Sequence, residues 1–449
     1  MTRCRRWEVV RHVHCSIGLN TSRWWVRKER LPFPSMTPLE EVRALVLAHC
    51  ARGPVVSLPL MDARGLVLAE PVVSAEQVPP FANTAVDGYA VRASDVAQVP
   101  VDLRVIDEVA AGAVAQMPVS EGTAIRIMTG APIPDGCDAI VMVEDTERIG
   151  DDGVRILKSV AVTSGIRDAG SDVEAGAVVF EPGVIMTPMV EGVLSSINVR
   201  TVPVVWRPRV GVISTGDELV DDGSALQKGQ IRESNRKMLL RLVEEAGAEP
   251  IDLGIIRDNE EDLEDTLRKA TSRGMVDALI SSGGVSMGDY DVVKAVLGRI
   301  AEMHWFQIAM RPAKPFAFGT MPGVGETMVP IFGLPGNPVS SLMSFELIAR
   351  PAIRTMMGMT HAFRPRVTAI VDEDVKRGVD GKTHFDRVHA SWSSDGRVHV
   401  RRTGPQGSHQ LASTAVANAI MAVPDGTGVK AGDEVTVTFL GPDAGPVAG

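Results

Sequence analysis

Between residues 208 and 359, short apolar runs alternate with helical periodicity, and this alternation restricts the fold more than any other feature of the chain. Residues 210–214, 250–253, 278–281 and 330–332 read as buried strands, and 235–246, 260–271, 292–299 and 339–356 as helices. Strand and helix in turn predict a parallel sheet covered on both faces, with right-handed crossovers. Ligands of such sheets bind beyond the carboxyl ends of the strands, so the loops that follow the strands are the places to look for chemistry.

Three of those loops are unusual. Ser214-Thr215-Gly216-Asp217-Glu218 sets two carboxylates and two hydroxyls beside a glycine, a set that can hold Mg²⁺ or a ligand amine, or simply form a solvated turn. The run 281–291 contains Gly283, Gly284, Ser286, Asp289 and Asp291; its glycines allow close backbone approach and expose amides to an anion, or they make a tight turn. It fits neither the Walker A nor the Rossmann glycine pattern. In Gly333-Leu334-Pro335-Gly336-Asn337-Pro338-Val339-Ser340, two prolines stiffen a loop ahead of a helix. Upstream, Arg311 and Lys314 lie three residues apart on a proline-restricted segment, either as an oxyanion site or as solvated surface.

The rest of the chain differs in character. Thr37-Pro38-Leu39-Glu40 predicts a capped helix start, with Gly53 as the helix stop. Residues 54–205 read as mostly β, with strands at 103–109, 139–143 and 154–157. Further short strands at 366–371, 384–389, 397–402 and 434–440 predict a terminal barrel or sandwich. With 449 residues, 45% hydrophobic and 23% charged, the chain has the makings of roughly three or four globular units. No apolar run approaches the roughly 18 residues of a membrane span.

The net charge of −10 argues against nonspecific nucleic-acid binding. Four cysteines without a CxxC pair suggest neither disulfides nor zinc, and a reducing, cytoplasmic setting fits. Residues 1–35 stand apart, with eight Lys or Arg against two acids; setting this +6 aside takes the net charge from −10 to −16. They read as a disordered extension or as a start assigned too far upstream.

Six stretches carry a resemblance: PPFANTAVDGYAV, RIMTGAPIP, STGDEL, SSGGVSMGDYD, RPAKPFAFG and GLPGNPVSS. Their order and content resemble the molybdopterin molybdenumtransferase family, which comprises bacterial MoeA, the E domain of gephyrin and plant counterparts. The likeness covers about residues 37–440. Ala82 stands where many members carry an acid, and no role is assigned to it. The acid cluster after the glycine pair is one residue shorter than in some relatives, and Asp291, which keeps the spacing to Lys294, is favoured over Asp289.

The resemblance implies an α/β and β multidomain fold. An elongated discontinuous domain (37–72 plus 171–203) carries a β-rich insertion (73–170), followed by a three-layer α/β molybdopterin-binding domain (204–357) and a C-terminal β-barrel (358–449). It implies a homodimer with its site at the subunit interface, completed by Asp87 and Thr129 of the partner. Adenylylated molybdopterin and molybdate are the implied substrates, and molybdenum cofactor and AMP the products.

On this reading Thr215, Asp217, Gly283, Gly284, Ser286, Pro335, Gly336, Asn337, Pro338 and Ser340 seat the pterin nucleotide. Arg311 and Lys314 hold the oxyanion, and Glu218 and Asp291 hold Mg²⁺. Molybdopterin adenylyltransferase and molybdoenzymes are the implied protein partners. Two alternatives stay open: adenylylation of molybdopterin itself, for which one α/β domain would suffice, and a gephyrin-like scaffold.

Overall fold

The computed structural model describes residues 36–285, 292–440 and 447–448. The basic segment 1–35 lies outside the described residues, as do Ser286, Asp289 and Asp291.

At the centre is a six-stranded sheet. We label its strands β1 (Arg209–Thr215), β2 (Glu249–Ile256), β3 (Ala278–Ser282), β4 (Glu302–Gln307), β5 (Pro315–Pro322) and β6 (Met328–Leu334). Their spatial order is β2-β1-β3-β6-β5-β4. Helices α1 (Asn235–Glu245), α2 (Glu260–Ser272) and α3 (Val292–Ile300) follow β1, β2 and β3. Alternation along β1 explains the two covered faces. Val210 and Val212 join α1 residues Leu239 and Val243 in one core, while Ile213 joins Leu263 and Leu267 of α2 and Val296 of α3 in another. Each fully buried aliphatic side chain contributes about 1.5–3 kcal/mol.

β2, β1, β3 and β6 pair in parallel, whereas β5 pairs antiparallel with β6 and β4 antiparallel with β5. The expected all-parallel sheet is therefore corrected to a mixed one. The two extra strands escaped the periodicity because β4 is a half-exposed edge and β5 is entered and left through prolines. The last helical stretch runs from Pro338 to Met356 as expected, but it widens to a π turn at Phe345–Ala349. Pro351 lacks an N–H and crowds the preceding turn, which accounts for the widening.

The first helix, Leu39–Ala48, forms without the expected cap: Thr37 is drawn into a bridge with Ile308, and Glu40 pairs with Arg43 at 2.6 Å. Gly53 does not stop this helix, which ends at Ala48. Its N–H instead donates to Met356 O, and an added Cβ would lie 3.2 Å from that oxygen. The helix buries Val42 and Val46 in the α1-side core.

Downstream, Val55–Pro59 pairs with Thr201–Val205 and Val72–Val73 with Val178–Phe180, so distant segments share one core around Leu60, Leu68, Met186 and Leu194. A helix at Pro188–Ser196, capped by Thr187, interrupts the region read as β. Residues 88–156 form a second six-stranded sheet. The C-terminal strands Thr383–Trp392, Val398–Arg402, Arg366–Val371, Glu434–Phe439 and Ala419–Val423 close into a five-stranded barrel. Met310–Arg311 adds to the barrel strand Thr383–Trp392 and thereby joins the α/β unit to the barrel. No helix among the described residues is long and apolar enough to cross a membrane.

Beneath the π turn, Arg364 grips the buried Glu346 through two bonds of 2.7 and 3.0 Å and also reaches Glu245 at 2.6 Å. Replacing Glu346 with Ala removes two of the three charged hydrogen bonds of Arg364 and leaves it Glu245, so stability should fall by about 1–3 kcal/mol; an unchanged denaturant midpoint would contradict this. On the barrel, His399 bonds Asp372 at 2.6 Å and Asp395 at 3.1 Å, and these partners, Asp372 first, raise its pKa. The folded form therefore favours the imidazolium. Its contribution is full below the ordinary value of about 6.5 and is lost as pH rises through the raised one. His399→Gln should lower the melting temperature more at pH 6 than at pH 9, and equal losses at both would refute the pairing.

Candidate functional site

The carboxyl ends of β1, β3 and β6 open into one cavity of about 1260 Å³. From β1 come Thr215, Gly216 and Glu218; from β3, Ser282, Gly283 and Gly284; from β6, the loop Pro335–Pro338. The glycines are needed where they stand. Gly284 has φ +73°, and a Cβ there would lie 2.2 Å from Val293 on α3. Gly216, at φ +144°, lies under the Glu218 carboxylate, so a side chain there would strike it.

Asn235, at the start of α1, ties two of these loops together. Its Nδ2 donates to Ser282 Oγ at 2.9 Å and to Gly336 O at 2.7 Å. Because Gly336 O can only accept, the amide orientation is settled. Next to it, buried Glu233 accepts from Ser214 Oγ at 3.0 Å and from Arg236 N at 2.6 Å, capping α1 and fixing the end of β1. Asn337 precedes its helix without making the usual side-chain cap bond, so its polar group is left for the cavity.

The cavity is also electrostatically divided. Glu218 and Asp258 line it, and neither has an ion-pair partner among the described residues, while Arg232 and Lys294 supply positive charge. Lys294 stands over the Trp305 ring, 5.6 Å from its centroid. Among the described residues, no group of three or more His, Cys, Asp or Glu side chains is placed to hold a metal ion.

A second, smaller cleft of about 360 Å³ is lined by Arg311, Pro312, Lys376, Arg377, His384, Arg402 and Gln406, with Asp380 and Asp386. Arg377 is committed to Asp380 and Asp425, and Arg402 to Asp386; Arg311 and Lys376 have no ion-pair partner among the described residues. The cleft thus keeps two uncommitted cations. Pro312 lines this cleft and Pro315 lines the cavity, so at that point the two are at most about 11 Å apart along the chain. Between them Ala313 adopts φ +70° while buried. A non-glycine residue held there costs of order 1 kcal/mol and marks a constrained strap.

Three family models match in order: the MoeA N-terminal region (domain I and II) over residues 37–198, a "Probable molybdopterin binding domain" over 211–355, and the MoeA C-terminal region (domain IV) over 369–440. Molybdopterin molybdenumtransferase of Haemophilus influenzae is 36% identical over 411 residues, covering 91% of this chain and 95% of its own. The chain belongs to the molybdopterin molybdenumtransferase family. Molybdopterin molybdenumtransferase 2 of Mycobacterium tuberculosis is 39% identical over 398 residues, covering 86% of this chain and 95% of its own. The crystal structure of the molybdopterin biosynthesis MoeA protein from Pyrococcus horikoshii OT3 superposes with a TM-score of 0.75 at 33% identity, covering 90% of this chain and all of that one.

In this molybdenumtransferase-family chain, Thr215, Glu218, Gly283, Gly284, Pro335, Gly336, Asn337 and Pro338 all line the cavity. Asp217, Ser340 and Lys314 line neither the cavity nor the cleft. Asp217 braces the wall, accepting from Asp258 N at 3.2 Å while its carbonyl accepts from Arg257. Ser340 is buried in the helix behind the loop. Lys314 is exposed on the strap and lines neither cavity nor cleft. Asp87, just before the strand Gly88–Val91, and Thr129, just after the strand Thr123–Ile127, are joined to each other: Thr129 N and Oγ1 both donate to Asp87 Oδ1 at 2.7 Å. The backbone bond first, then the hydroxyl, holds the Asp87 carboxyl below its usual pKa.

Glu233, Asn235, Asp258 and Lys294 were not singled out from the sequence. Asp258 carried the one usable signal, an acid between the end of a strand and the Asn259 cap of α2. Removing the Asn235 tie with Asn235→Ala should cost about 1–3 kcal/mol and accelerate amide hydrogen exchange at Gly283–Val285 and at Gly336 and Asn337. Exchange unchanged in both loops would show that they are held independently.

Proposed function

We propose that this protein inserts molybdenum into molybdopterin, with adenylylated molybdopterin in the α/β cavity and molybdate in the neighbouring cleft. The observation that carries this reading is the pair of neighbouring sites joined by one strap, a large cavity of mixed charge and a small cleft that holds Arg311 and Lys376 without ion-pair partners among the described residues. An anionic pterin nucleotide and a dianionic oxyanion repel each other, so they have to be held by separate sets of groups and brought together along a short path. The cavity has backbone amides and oxygens suited to a large polar ligand. In the cleft, Arg311 presents a planar fork and Lys376 a point charge. Lys314, between the cleft residue Pro312 and the cavity residue Pro315, is assigned to escort the oxyanion across.

Mg²⁺ fits this cavity. Two oxygen-rich carboxylates without counterions, Glu218 and Asp258, would repel a phosphate ester, and Mg²⁺ commonly binds one or two carboxylates together with substrate phosphates. Asp291 is assigned to the same set by resemblance. When bound, the ion would supply neutralising charge at the pyrophosphate oxygens as AMP departs. Glu218 and Asp258 would orient the phosphates, and the tied loops at Gly283 and Gly336 would seat the pterin.

We assign Asp87 and Thr129 to the site of a second subunit in a homodimer. The pair is exposed, the carboxylate is kept ionised, and neither residue lines the cavity of its own chain. A cytoplasmic setting, with molybdopterin adenylyltransferase upstream and molybdoenzymes downstream, belongs to the same reading.

Purified protein with adenylylated molybdopterin, molybdate and Mg²⁺ should release AMP and activate a cofactor-free molybdoenzyme; AMP release without activation would exclude insertion. Arg311→Ala should raise the molybdate requirement about tenfold or more, and an unaltered requirement would remove Arg311 from the oxyanion site. For the shared site, Asp87→Asn and Glu218→Gln should each be inactive alone. Reassociated as mixed dimers they should recover roughly a quarter of wild-type activity, because half the dimers hold one intact site; no recovery would place both residues in the same subunit's site.

A further inference from the structure

Trp305 lies on the edge strand β4 and keeps part of its surface exposed. Strand alternation explains which way it faces. Met303 packs against the core on the α3 side, so Trp305, two residues on, faces α3 as well. The next residue on that face, Gln307, pairs with Pro315 at the cavity. The indole therefore stands one pleat below the cavity rim. Over its ring lies the ammonium of Lys294, 5.6 Å from the centroid. Lys294 belongs to the first turn of α3, where residues 292–295 all line the cavity and the buried Val293 and Val296 hold the helix to the sheet.

Charge in the cavity gives this pair its meaning. Four carboxylates line it, from Glu218, Glu233, Asp258 and Glu260, against two cations, Arg232 and Lys294. Glu260 is paired with Arg299 at 3.0 Å, and Arg232 donates to Ser224 O, outside the cavity lining. A phosphate ester entering this space needs positive charge at a fixed place. A lysine has a flexible four-carbon stem, and ordering it costs side-chain entropy. The indole does that ordering in advance. Its face attracts the ammonium through the ring quadrupole and leaves the formal charge in place for an anion.

We infer that Lys294 binds the phosphate of the adenylyl group, and that Trp305 is the positioning residue that holds the ammonium at the rim of the cavity. This rests on placing adenylylated molybdopterin in that cavity. AMP carries the phosphate and adenosine lacks it, so the preference for AMP over adenosine isolates the group that Lys294 is assigned to bind.

The test is calorimetric titration of the full chain with AMP and with adenosine, in the presence of Mg²⁺, for the wild type and for Lys294→Met, Lys294→Arg, Trp305→Leu and Trp305→Phe. Both side chains are exposed, so the variants should fold. Lys294→Met keeps the reach and loses the charge; it should cut the preference for AMP about tenfold, and Lys294→Arg should keep most of it. Trp305→Leu should cut it about threefold and Trp305→Phe less, because the benzene ring retains a weaker face. Affinity for adenosine should stay within about twofold throughout, which a merely structural role for either residue would not give. An unchanged preference in Lys294→Met overturns the phosphate role and leaves the nucleotide in the cavity. Preference lost in Lys294→Met but intact in Trp305→Leu overturns the positioning role alone. If the wild type binds neither ligand, or does not tell them apart, the cavity is not the nucleotide site and both readings fall.

Discussion

The change from parallel to antiparallel pairing at β6 governs where the functional groups lie. A parallel neighbour needs a long crossover, usually a helix, whereas an antiparallel one needs only a tight turn. β5 meets β6 through the turn around Gly323–Thr327, and the segment leading into β5 is thereby freed to run as a strap past the cavity. The same segment gives Met310–Arg311 to the barrel. Without that reversal, neither Pro315 at the cavity nor Arg311 at the cleft would have its present neighbour.

Charge follows the same division. The α/β cavity keeps carboxylates that have no counterion of their own, and the cleft keeps cations that have no carboxylate of their own. Around each, other charges are paired off: Arg377 with Asp380, Arg402 with Asp386, Arg299 with Glu260 and Glu264. Pairing of neighbours leaves Arg311 and Lys376 uncommitted in the cleft, and Glu218 and Asp258 without a paired cation in a cavity that Arg232 also lines. An uncommitted charge retains its full pull on a ligand, which a neutralised pair does not.

Much of the cavity was legible in the sequence because loops after buried strands announce themselves through glycine and proline, and backbone conformation is a local property. Gly284, Gly336 and Pro338 were found for that reason. Contacts that depend on chain return were not. Asn235 reaches Ser282 and Gly336, 47 and 101 residues away, and nothing near Asn235 hints at either. The expected cap at Thr37 failed for the same cause: a local motif lost to a distant bridge with Ile308. Arg387 lies on the barrel strand Thr383–Trp392, and the closed barrel is what buries it. The shared core of the N-terminal segments was available only through the family resemblance, since strands such as Val55–Pro59 and Thr201–Val205 carry no mark of their partner.

That last pairing has a consequence for synthesis. Val55–Pro59 leaves the ribosome well before Thr201–Val205, with roughly 140 residues between them, a wait on the order of 10 s at ordinary translation speeds. Throughout it, the strand has no edge to pair with. The sheet within residues 88–156 makes all its strand pairings inside its own stretch and can form them first. A nascent chain of this protein therefore carries a finished module on an unfinished stem, and that stem is the part a chaperone would have reason to meet.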